Sequence, residues 1–305
     1  MVITRETLNL IKSGIDFIDK PQAKAAKPYW SKLAPAVDTK EGFYRLKVIT
    51  GFKEMPMHIP GSSVRSISKQ SLADVEIPPF LFAFAVDVEM LAKDDDVYGE
   101  IAQLPADAQI ARRRTWNKQV TQTFLPNGFS TSYPIYDGLP LFSASHTSAS
   151  GVAVRSNIAA PVLALNSFNM EKGLMYLRGQ LDPNGEPMEY EGGANGYFNA
   201  QQFPVASRIA NADKMAQTND NDPNVINGTL LTVNWMPHLS DSSTNWYLRA
   251  RDDSEHGLRT LVWFTNRVIK LPADRQLQEA IVICSRFRPV VRRWEGTWAS
   301  GALGA

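Results

Sequence analysis

Two long runs of strand-forming residues, separated by a cluster of turn residues, constrain the fold of this chain more than any other feature. The first run, FYRLKVITGF from Phe43 to Phe52, alternates and is rich in aromatic and β-branched residues. Turn residues fill Pro56 to Ser63, and the second run extends from Val64 to about Met90. Because an isolated two-stranded hairpin is only marginally stable in water, we expect its polar tip half to lie on another molecule.

The middle of the second run, Leu81 to Val88, is apolar on both faces. Since strands of this composition are typical of sheets that are covered on both sides, we expect cover on both faces here. Four later segments are also predicted to be mainly strand: LLTVNWMP, TNWYLRA, LRTLVWFTNRVIKL and QEAIVICSRFRPVVRRW. The largely small residues of the ending GTWASGALGA are expected to be frayed or extended.

Helical patterns lie on either side of this strand pair. Thr4 can cap a first helix, whose apolar stripe continues to about Ile18. Asp94 to Asp96 open the main helical segment, and Pro105 suits the first turn of a second helix that ends near Leu125. Its apolar positions can share one broad face: Ile110, Trp116, Val120 and Phe124.

Another helix is predicted between a cap at Asn166 or Ser167 and the turn DPNG at residues 182–185. Its expected apolar positions are Phe168, Leu174, Leu177 and Leu181. Together with the strands, these segments predict an α+β fold.

Three consecutive arginines, Arg112, Arg113 and Arg114, lie within the main helical segment. Successive residues of a helix point about 100° apart, so the three side chains cannot all be buried. The pattern favours a charge cluster that faces solvent or another subunit, and contact with DNA is the alternative.

The composition of the chain excludes several classes of protein. The chain has 305 residues, of which 44% are hydrophobic and 21% charged, and its net charge of +1 provides no global basic field for nucleic acid. The one cysteine, Cys284, excludes an internal disulfide and is interpreted as an ordinary buried thiol. The N-terminus lacks the apolar core of a signal peptide, and the run from Ile77 to Val88 is too short to span a bilayer. We therefore expect a soluble protein made in the cytosol.

The stretch YDGLPLFSASHT, Tyr136 to Thr147, contains the residue types of a serine hydrolase site. Ser145 and His146 are adjacent, so in an extended segment their side chains point to opposite sides. Ser143 could meet His146 only in a helical turn, and the chain has no G-x-S-x-G motif. A hydrolase that uses the 143–146 loop remains an alternative, while the pattern favours a histidine that hydrogen-bonds its own loop.

Other candidate sites are weaker. The four histidines show no metal-binding spacing, and NDNDPNVINGT lacks the glycine and glutamate of a calcium loop. The glycine-rich EGGANGYF lacks the spacing of a dinucleotide-binding turn, so neither a metal nor a cofactor is predicted. Tryptophans and arginines alternate near the C-terminus and could form a nucleic-acid stacking platform, although they more often form a core face with an arginine rim: Trp263, Phe264, Trp294, Trp298, Arg267, Arg286, Arg288, Arg292 and Arg293.

The order of several motifs resembles the major capsid proteins of tailed phages, with the Mu-like major head subunits as the nearest group. The motifs are DDDVYGEIAQLP, RRRTWNKQVTQTFLPNG and YDGLPLFSASHT, followed by TNDNDPNVINGTLLTVNWMPHLSDSSTNWYLRA, LVWFTNRVIKL and ICSRFRPVVRRWEGTWASG. The resemblance runs from about Gly42 to Gly301 and depends on the order and spacing of the motifs together.

This resemblance implies a Hong Kong 97-type capsid fold. It implies five segments: an N-terminal arm (1–40), an extended E-loop with adjoining strands (41–90), a peripheral-domain spine helix (91–129), an axial domain (mostly 130–259) and a return to the peripheral domain (260–305). The E-loop tip would lie near 55–65 and would supply assembly contacts through Met57, His58, Pro60, Gly61, Ser62 and Arg65.

The function that the resemblance implies is that of a major head subunit, not an enzyme. Copies would assemble into hexamers and pentamers of an icosahedral shell that encloses double-stranded DNA. Portal, scaffolding and decoration proteins would be its partners, with non-specific contact to the packaged DNA and none to a membrane. Made in the host cytoplasm, the protein would reside in the virion. Some relatives crosslink a loop lysine to an asparagine of a neighbour, but no residue of this chain is assigned that chemistry.

Overall fold

The computed structural model describes residues 28–302, with gaps at 53–54, 56, 62, 65, 68, 90–99, 148–153, 189, 215–222, 228–229, 240–243, 252–256 and 272–277. The predicted helix from Thr4, the acids Asp94 to Asp96 and two proposed loop residues, Ser62 and Arg65, lie outside these residues.

The helices are α1 (Trp30–Leu33), α2 (Glu100–Phe124), α3 (Ser167–Arg178) and α4 (Phe203–Asn211), and a 3₁₀ turn covers Pro126–Phe129. The strands are β1 (Ala36–Asp38), β2 (Tyr44–Ile49), β3 (Ser71–Ile77), β4 (Phe80–Glu89), β5 (His146–Thr147), β6 (Val154–Arg155), β7 (Ala194–Phe198), β8 (Leu231–Trp235), β9 (Trp246–Ala250), β10 (Leu258–Leu271), β11 (Gln278–Val291) and β12 (Thr297–Ser300).

The chain folds into two compact units. Unit one takes the described parts of Met1–Tyr44, Pro78–Val120 and Thr260–Arg288. Unit two takes Arg45–Ile77, Thr121–Arg259 and the described part of Pro289–Ala305. Each unit therefore combines segments that are far apart in the sequence.

Unit one contains a four-stranded sheet with the order β1-β10-β11-β4. Strand β1 runs parallel to β10, and β4 runs antiparallel to β11. Helix α2 packs on this sheet through Trp116, whose indole Nε1 donates to Ser285 at 2.9 Å. The Trp116 ring lies 4.8 Å from the Phe287 ring and 5.2 Å from the Trp30 ring, so aromatic contacts join the helix, the sheet and α1.

Helix α2 corrects one prediction, because a single helix replaces the two that were expected to divide at Pro105. Proline removes one backbone hydrogen bond near the start of the helix, and the later turns keep theirs. The predicted apolar face is confirmed where it is described, since Trp116, Val120 and Phe124 are all buried.

The predicted long second strand of the hairpin is also wrong. It is divided at Pro78 and Pro79 into β3, which pairs with β2, and β4, which pairs with β11 in another sheet. Two consecutive prolines have no N–H groups to donate, so they end one ladder and allow the chain to enter the next.

The expected cover on both faces of β4 is not found among the described residues. Phe82 stacks on Phe287 on the side of the sheet that carries Trp116. On the opposite side Leu81 is 65% exposed, and Ala83 and Ala85 are exposed as well. On the side of Phe82, Phe80 and Phe84 are also partly exposed, at 43% and 39%, so neither face of the described part of β4 is fully covered.

Unit two is built on a second four-stranded sheet with the order β12-β9-β7-β8. Strand β7 runs parallel to β8 and antiparallel to β9, while β12 runs antiparallel to β9. One face of the sheet packs against α3 and α4 in an apolar core that includes Met170, Leu174, Leu177, Phe198, Ala206, Ile209, Trp246, Leu248 and Trp298.

The other face of this sheet is covered by the segment that follows α2. Phe142 lies 5.6 Å from Tyr247 on β9, and Phe129 lies 6.0 Å from the same ring. Leu141 and Phe142 are buried. Asp137 and Gly138 form a turn, in which Gly138 has φ of 79°.

Helix α3 confirms the predicted cap, because the side chain of Asn166 accepts a hydrogen bond from the Asn169 backbone N–H at 2.8 Å. Two of its expected apolar positions, Phe168 and Leu181, are wrong, since both side chains are exposed. Gly173 lies on the buried side instead, where its lack of a side chain allows close contact with Leu248 and the tryptophans of the sheet.

The described part of the ending, up to residue 302, is extended, which is one of the two expected alternatives. Residues Thr297–Ser300 form β12, whose four residues are all buried. Strand β12 pairs with β9 in unit two, while residues up to Arg288 belong to unit one. Trp298 on β12 is a large apolar side chain that belongs to the core of unit two.

Candidate functional site

An extended loop that follows β2 and precedes β3, here called the 50–70 loop, exposes apolar side chains. Met55 and Met57 are 92% and 93% exposed, and the other large exposed apolar residues of the loop are Phe52, Ile59 and Val64. Single exposed apolar residues are ordinary, but a concentration in one loop is typical of a binding surface. The tip that the sequence analysis describes as polar is therefore largely apolar.

The predicted assembly residues are placed as follows. Met57, His58, Pro60 and Gly61 are all exposed in this loop, and Gly61 adopts φ of 88° in a turn. Their exposure leaves them free to contact another molecule, and their role in assembly stays a prediction.

The base of the 50–70 loop is closed by two hydrogen bonds between Thr50 and Gln70. The Thr50 N–H donates to the Gln70 carbonyl at 2.9 Å, and the Gln70 N–H donates to the Thr50 hydroxyl at 3.0 Å. Below them, Arg45 on β2 donates two hydrogen bonds to Asp74 on β3, at 2.6 and 2.8 Å. These bonds to Arg45 hold the pKa of the Asp74 carboxyl below its usual range.

The turn at Asp182–Gly185 contacts this base. The Asp182 carboxylate accepts the N–H groups of Asn184 and Glu186, at 2.8 and 2.9 Å, and so fixes the turn that DPNG predicts. The Asn184 amide then donates to the carbonyl of Gly51 at 3.0 Å. The base of the loop is thus tied to a turn in the body of unit two.

A cluster of buried polar side chains lies behind this turn. His146 is fully buried, and its Nδ1 lies 2.7 Å from Asp137 Oδ2 while its Nε2 lies 3.2 Å from the Leu141 carbonyl. The imidazole stacks on the indole of Trp294 with ring centroids 4.2 Å apart. The prediction that His146 holds its own loop is confirmed.

Arg155 joins this cluster to the turn. Its Nη1 donates to the carbonyls of Leu181 and Asp182, both at 2.6 Å, and its guanidinium lies over the Trp294 ring. Its Nη2 lies 3.8 Å from the carboxylate of Glu295. A planar guanidinium can make these contacts together because its donors point in fixed, separate directions.

Glu295 is the most unusual member of the cluster, because it is fully buried and neither carboxylate oxygen has a hydrogen-bond partner among the described residues. Burial raises the pKa of this carboxyl, and the positive charges of Arg155 and Arg293 oppose that change only in part. Burial also raises the pKa of the nearby Tyr136 phenol, an effect that the charges of Glu295 and Asp137 increase.

Sequence reasoning missed Arg155, Asn184 and Glu295. Their types and spacing carry no motif, and a charged residue in an unremarkable segment is expected on the surface. The DPNG turn that carries Asn184 can be predicted from the sequence, but its contact with the base of the 50–70 loop cannot.

The hydrolase alternative is not supported by the geometry of the 143–146 loop. The hydroxyls of Ser143 and Ser145 lie 3.2 Å from each other. The two ring nitrogens of His146 contact Asp137 and Leu141 instead, so neither serine has the histidine partner that a triad requires.

The stacking-platform alternative is contradicted by burial. Trp263, Trp294 and Trp298 are each at most 2% exposed, so they cannot present a face to nucleic bases. Trp263 is a buried residue of unit one, and Trp294 and Trp298 are buried residues of unit two.

The three arginines of α2 are only partly accessible. Arg112 and Arg113 are half-buried, Arg114 is exposed, and the Arg112 guanidinium lies 5.8 Å from the Trp116 ring. The expectation that they are not all buried is confirmed. The prediction that these arginines face solvent, another subunit or DNA remains a prediction.

Neither a metal centre nor a membrane span was found in the described parts of the chain. No group of three or more His, Cys, Asp or Glu side chains there could hold a metal ion. None of the helices there has both the length and the apolar character needed to cross a bilayer.

Comparison with known proteins identifies the family. The model of the phage capsid protein family matches residues 80–299, and this chain belongs to that family. Membership makes it a structural component of a phage virion. No curated protein matches the sequence.

Solved capsids share the fold. The capsid of a native GTA particle is 14% identical over 90% of each chain, with a TM-score of 0.58. The protein of Mycobacterium phage Patience is 11% identical over 98% of this chain and 88% of its own, with a TM-score of 0.56. The capsid of bacteriophage JBD30, decorated with minor capsid protein trimers, is 13% identical over 70% of this chain and 92% of its own, with a TM-score of 0.55. The predicted α+β capsid fold is confirmed.

Proposed function

We propose that this chain is the major head subunit of a tailed double-stranded DNA phage and that its copies form the hexamers and pentamers of an icosahedral shell. The observation that carries the proposal is the 50–70 loop, a surface of exposed apolar residues on a chain of the capsid family. Apolar surface on this scale is removed from water when copies associate.

The finer fold assignment belongs to the same proposal. We assign the Hong Kong 97-type arrangement, with an arm at 1–40, an E-loop at 41–90, a spine helix at 91–129, an axial domain mostly at 130–259 and a returning segment at 260–305. In this arrangement Met57, His58, Pro60, Gly61, Ser62 and Arg65 contact a neighbouring copy. The Mu-like head subunits are the proposed nearest group.

The exposed side of β4 supports the same function. Leu81, Ala83 and Ala85 form an apolar surface on an edge strand, and a strand that is apolar on both faces is typical of a buried position. Assembly would supply the cover that the single chain lacks. Heterologous contacts of this kind close into rings, as capsomers require.

The proposed partners follow from the shell. They are other copies of the chain, a portal, a scaffolding protein and decoration proteins, and the packaged DNA is contacted without sequence specificity. The net charge of +1 allows subunits to pack closely without strong mutual repulsion. Arg112, Arg113 and Arg114 face the lumen or an acidic neighbour. Synthesis takes place in the host cytoplasm.

Electron microscopy of the purified protein, with scaffolding protein supplied, tests the proposal. Closed shells with hexameric capsomers are expected, and a strictly monomeric protein under all assembly conditions would contradict it. Deletion of residues 55–65 should leave a folded subunit that does not close shells. Normal shells from this deletion would show that the loop tip is not an assembly contact.

A further inference from the structure

The base of the 50–70 loop is hydrogen-bonded to the body of unit two, so the geometry of this base affects where the tip of the loop lies. Hydrogen bonds between Thr50 and Gln70 close the base. About ten residues of sequence lead from there to the tip, and a chain of that length can reach at most on the order of 30 Å. A change of about 10° at the base would therefore move the tip by roughly 5 Å, more than an interface between two copies tolerates.

The contact that orients this base is the bond from Asn184 to the carbonyl of Gly51, which immediately follows Thr50 in the chain. Asn184 is held in its turn by the Asp182 carboxylate, which accepts two backbone N–H groups. A displacement of the turn would therefore act directly on Gly51 at the base of the loop.

Arg155 holds the turn from behind. Its Nη1 donates to both Leu181 and Asp182 carbonyls at 2.6 Å, and its Nη2 lies 3.8 Å from the buried Glu295 carboxylate. Strand pairing places Arg155 opposite His146, whose contacts with Asp137 and Trp294 fix that strand. The guanidinium therefore contacts the buried cluster on one side and donates hydrogen bonds to the turn on the other.

Gln180 provides a second, independent attachment. Its amide donates to the Thr297 carbonyl at 2.9 Å and accepts the Gly296 N–H at 2.6 Å. Loss of the Arg155 contacts should thus loosen the turn without detaching it, which makes the effect measurable in a folded subunit.

We propose that Arg155 is a positioning residue for assembly: through the 181–186 turn and Asn184 it fixes the direction of the 50–70 loop towards a neighbouring copy of this chain. The contacts from Arg155 to Gly51 form a continuous series of hydrogen bonds within one unit. The consequence for shells rests on the proposed function, whereas the positioning of the loop is a property of the single subunit. Coupling along such a series requires direct evidence, because proximity alone does not establish it.

Limited trypsin digestion of the full-length subunit provides that evidence. The loop contains three trypsin sites, Lys53, Arg65 and Lys69, whose cleavage reports how often the loop departs from its fixed position. In Arg155→Lys a single ammonium keeps the charge but cannot contact both the turn and Glu295. Asn184→Ala removes the last contact of the series and leaves the buried cluster intact.

Both variants are expected to increase loop cleavage about three- to tenfold while the cleavage rate outside the loop stays at its wild-type value. The double variant should show no more than the larger single effect, because both substitutions interrupt one series. Arg208→Lys is the matched control, since Arg208 is exposed and, among the described residues, its side chain donates to the Pro204 carbonyl of its own helix. Its loop should be cleaved at the wild-type rate.

Wild-type loop cleavage in either folded single variant would overturn the proposal, as would fully additive effects in the double variant. If Arg155→Lys does not fold, Arg155→Gln replaces it in the same comparison, and the Asn184→Ala result still decides whether the turn restrains the loop. Failure of the wild-type protein to form shells would contradict the proposed function but would leave these cleavage rates unaffected.

Discussion

The imidazole of His146 lies parallel to the indole of Trp294, with an angle of 10° between the rings and 4.2 Å between their centroids. The same imidazole contacts Asp137 at 2.7 Å. One fully buried side chain thus joins the loop after α2 to the turn before β12.

Replacement of His146 by alanine is expected to destabilise unit two by about 3 kcal/mol, because it leaves a cavity beside Trp294 and removes the partner of Asp137. Urea denaturation followed by tryptophan fluorescence measures the change. His58→Ala, in the exposed loop, is the control and should alter stability by less than about 0.5 kcal/mol. Equal effects of the two substitutions would contradict this assignment of His146.

Glu295→Gln tests the buried carboxyl through the pH dependence of stability. Burial raises its folded-state pKa above that of the unfolded chain, so folding favours the protonated form. The stability it contributes is present below the unfolded-state pKa and is lost as the pH rises through the folded-state pKa. Since glutamine cannot ionise, the variant should gain stability relative to wild type as the pH rises.

Melting temperatures of both proteins from pH 4 to pH 8 provide the measurement. The difference should be small at pH 4 and should increasingly favour the glutamine variant at higher pH. A difference that does not change with pH would mean that Glu295 titrates with its ordinary pKa in the folded subunit.

Leu81→Asp separates folding from assembly on the exposed face of β4. The side chain is 65% exposed in the subunit, so the free energy of unfolding should change by less than about 1 kcal/mol. Shell formation should be lost, since a charge would then be buried between copies. Phe287→Ala, on the buried face beside Trp116, should instead destabilise the subunit by about 3 to 5 kcal/mol. Normal shells from Leu81→Asp, counted by electron microscopy, would exclude this face as an interface.

Gly193 and Gly61 form a matched pair in the left-handed region of the backbone, with φ of 78° and 88°. A Cβ atom on Gly193 would lie 2.5 Å from the Leu230 carbonyl oxygen, whereas one on Gly61 would meet nothing within 4 Å. Alanine should therefore cost about 3 kcal/mol at Gly193, from backbone strain and the clash together, but only about 1 kcal/mol at Gly61. Chemical denaturation distinguishes the two, and equal costs would show that strain alone governs Gly193.

Local patterns in the sequence predicted local structure well. The Asn166 cap, the DPNG turn and the later strands are all found, because short-range hydrogen bonding and side-chain shape determine them. The sequence could not show that β4 leaves β3 to pair with β11, since that choice depends on contacts about 200 residues apart.

The buried cluster of the candidate site could not be predicted from the sequence for the same reason. Arg155 and Glu295 are charged, and sequence alone assigns such residues to the surface. Their burial follows from His146, Trp294 and the turn at Asp182, which meet only in the folded unit. The exposed methionines of the 50–70 loop make it more apolar than the sequence led us to expect.

The position of β12 has a consequence for biosynthesis. Trp298 on this strand packs with residues of α3, which the ribosome makes well over a hundred residues earlier. At about 5 to 20 residues per second, several seconds pass between the synthesis of these two parts of one core. During that time the sheet of unit two lacks its β12 edge strand, and the core side of α3 lacks Trp298, so this core can be completed only late in synthesis.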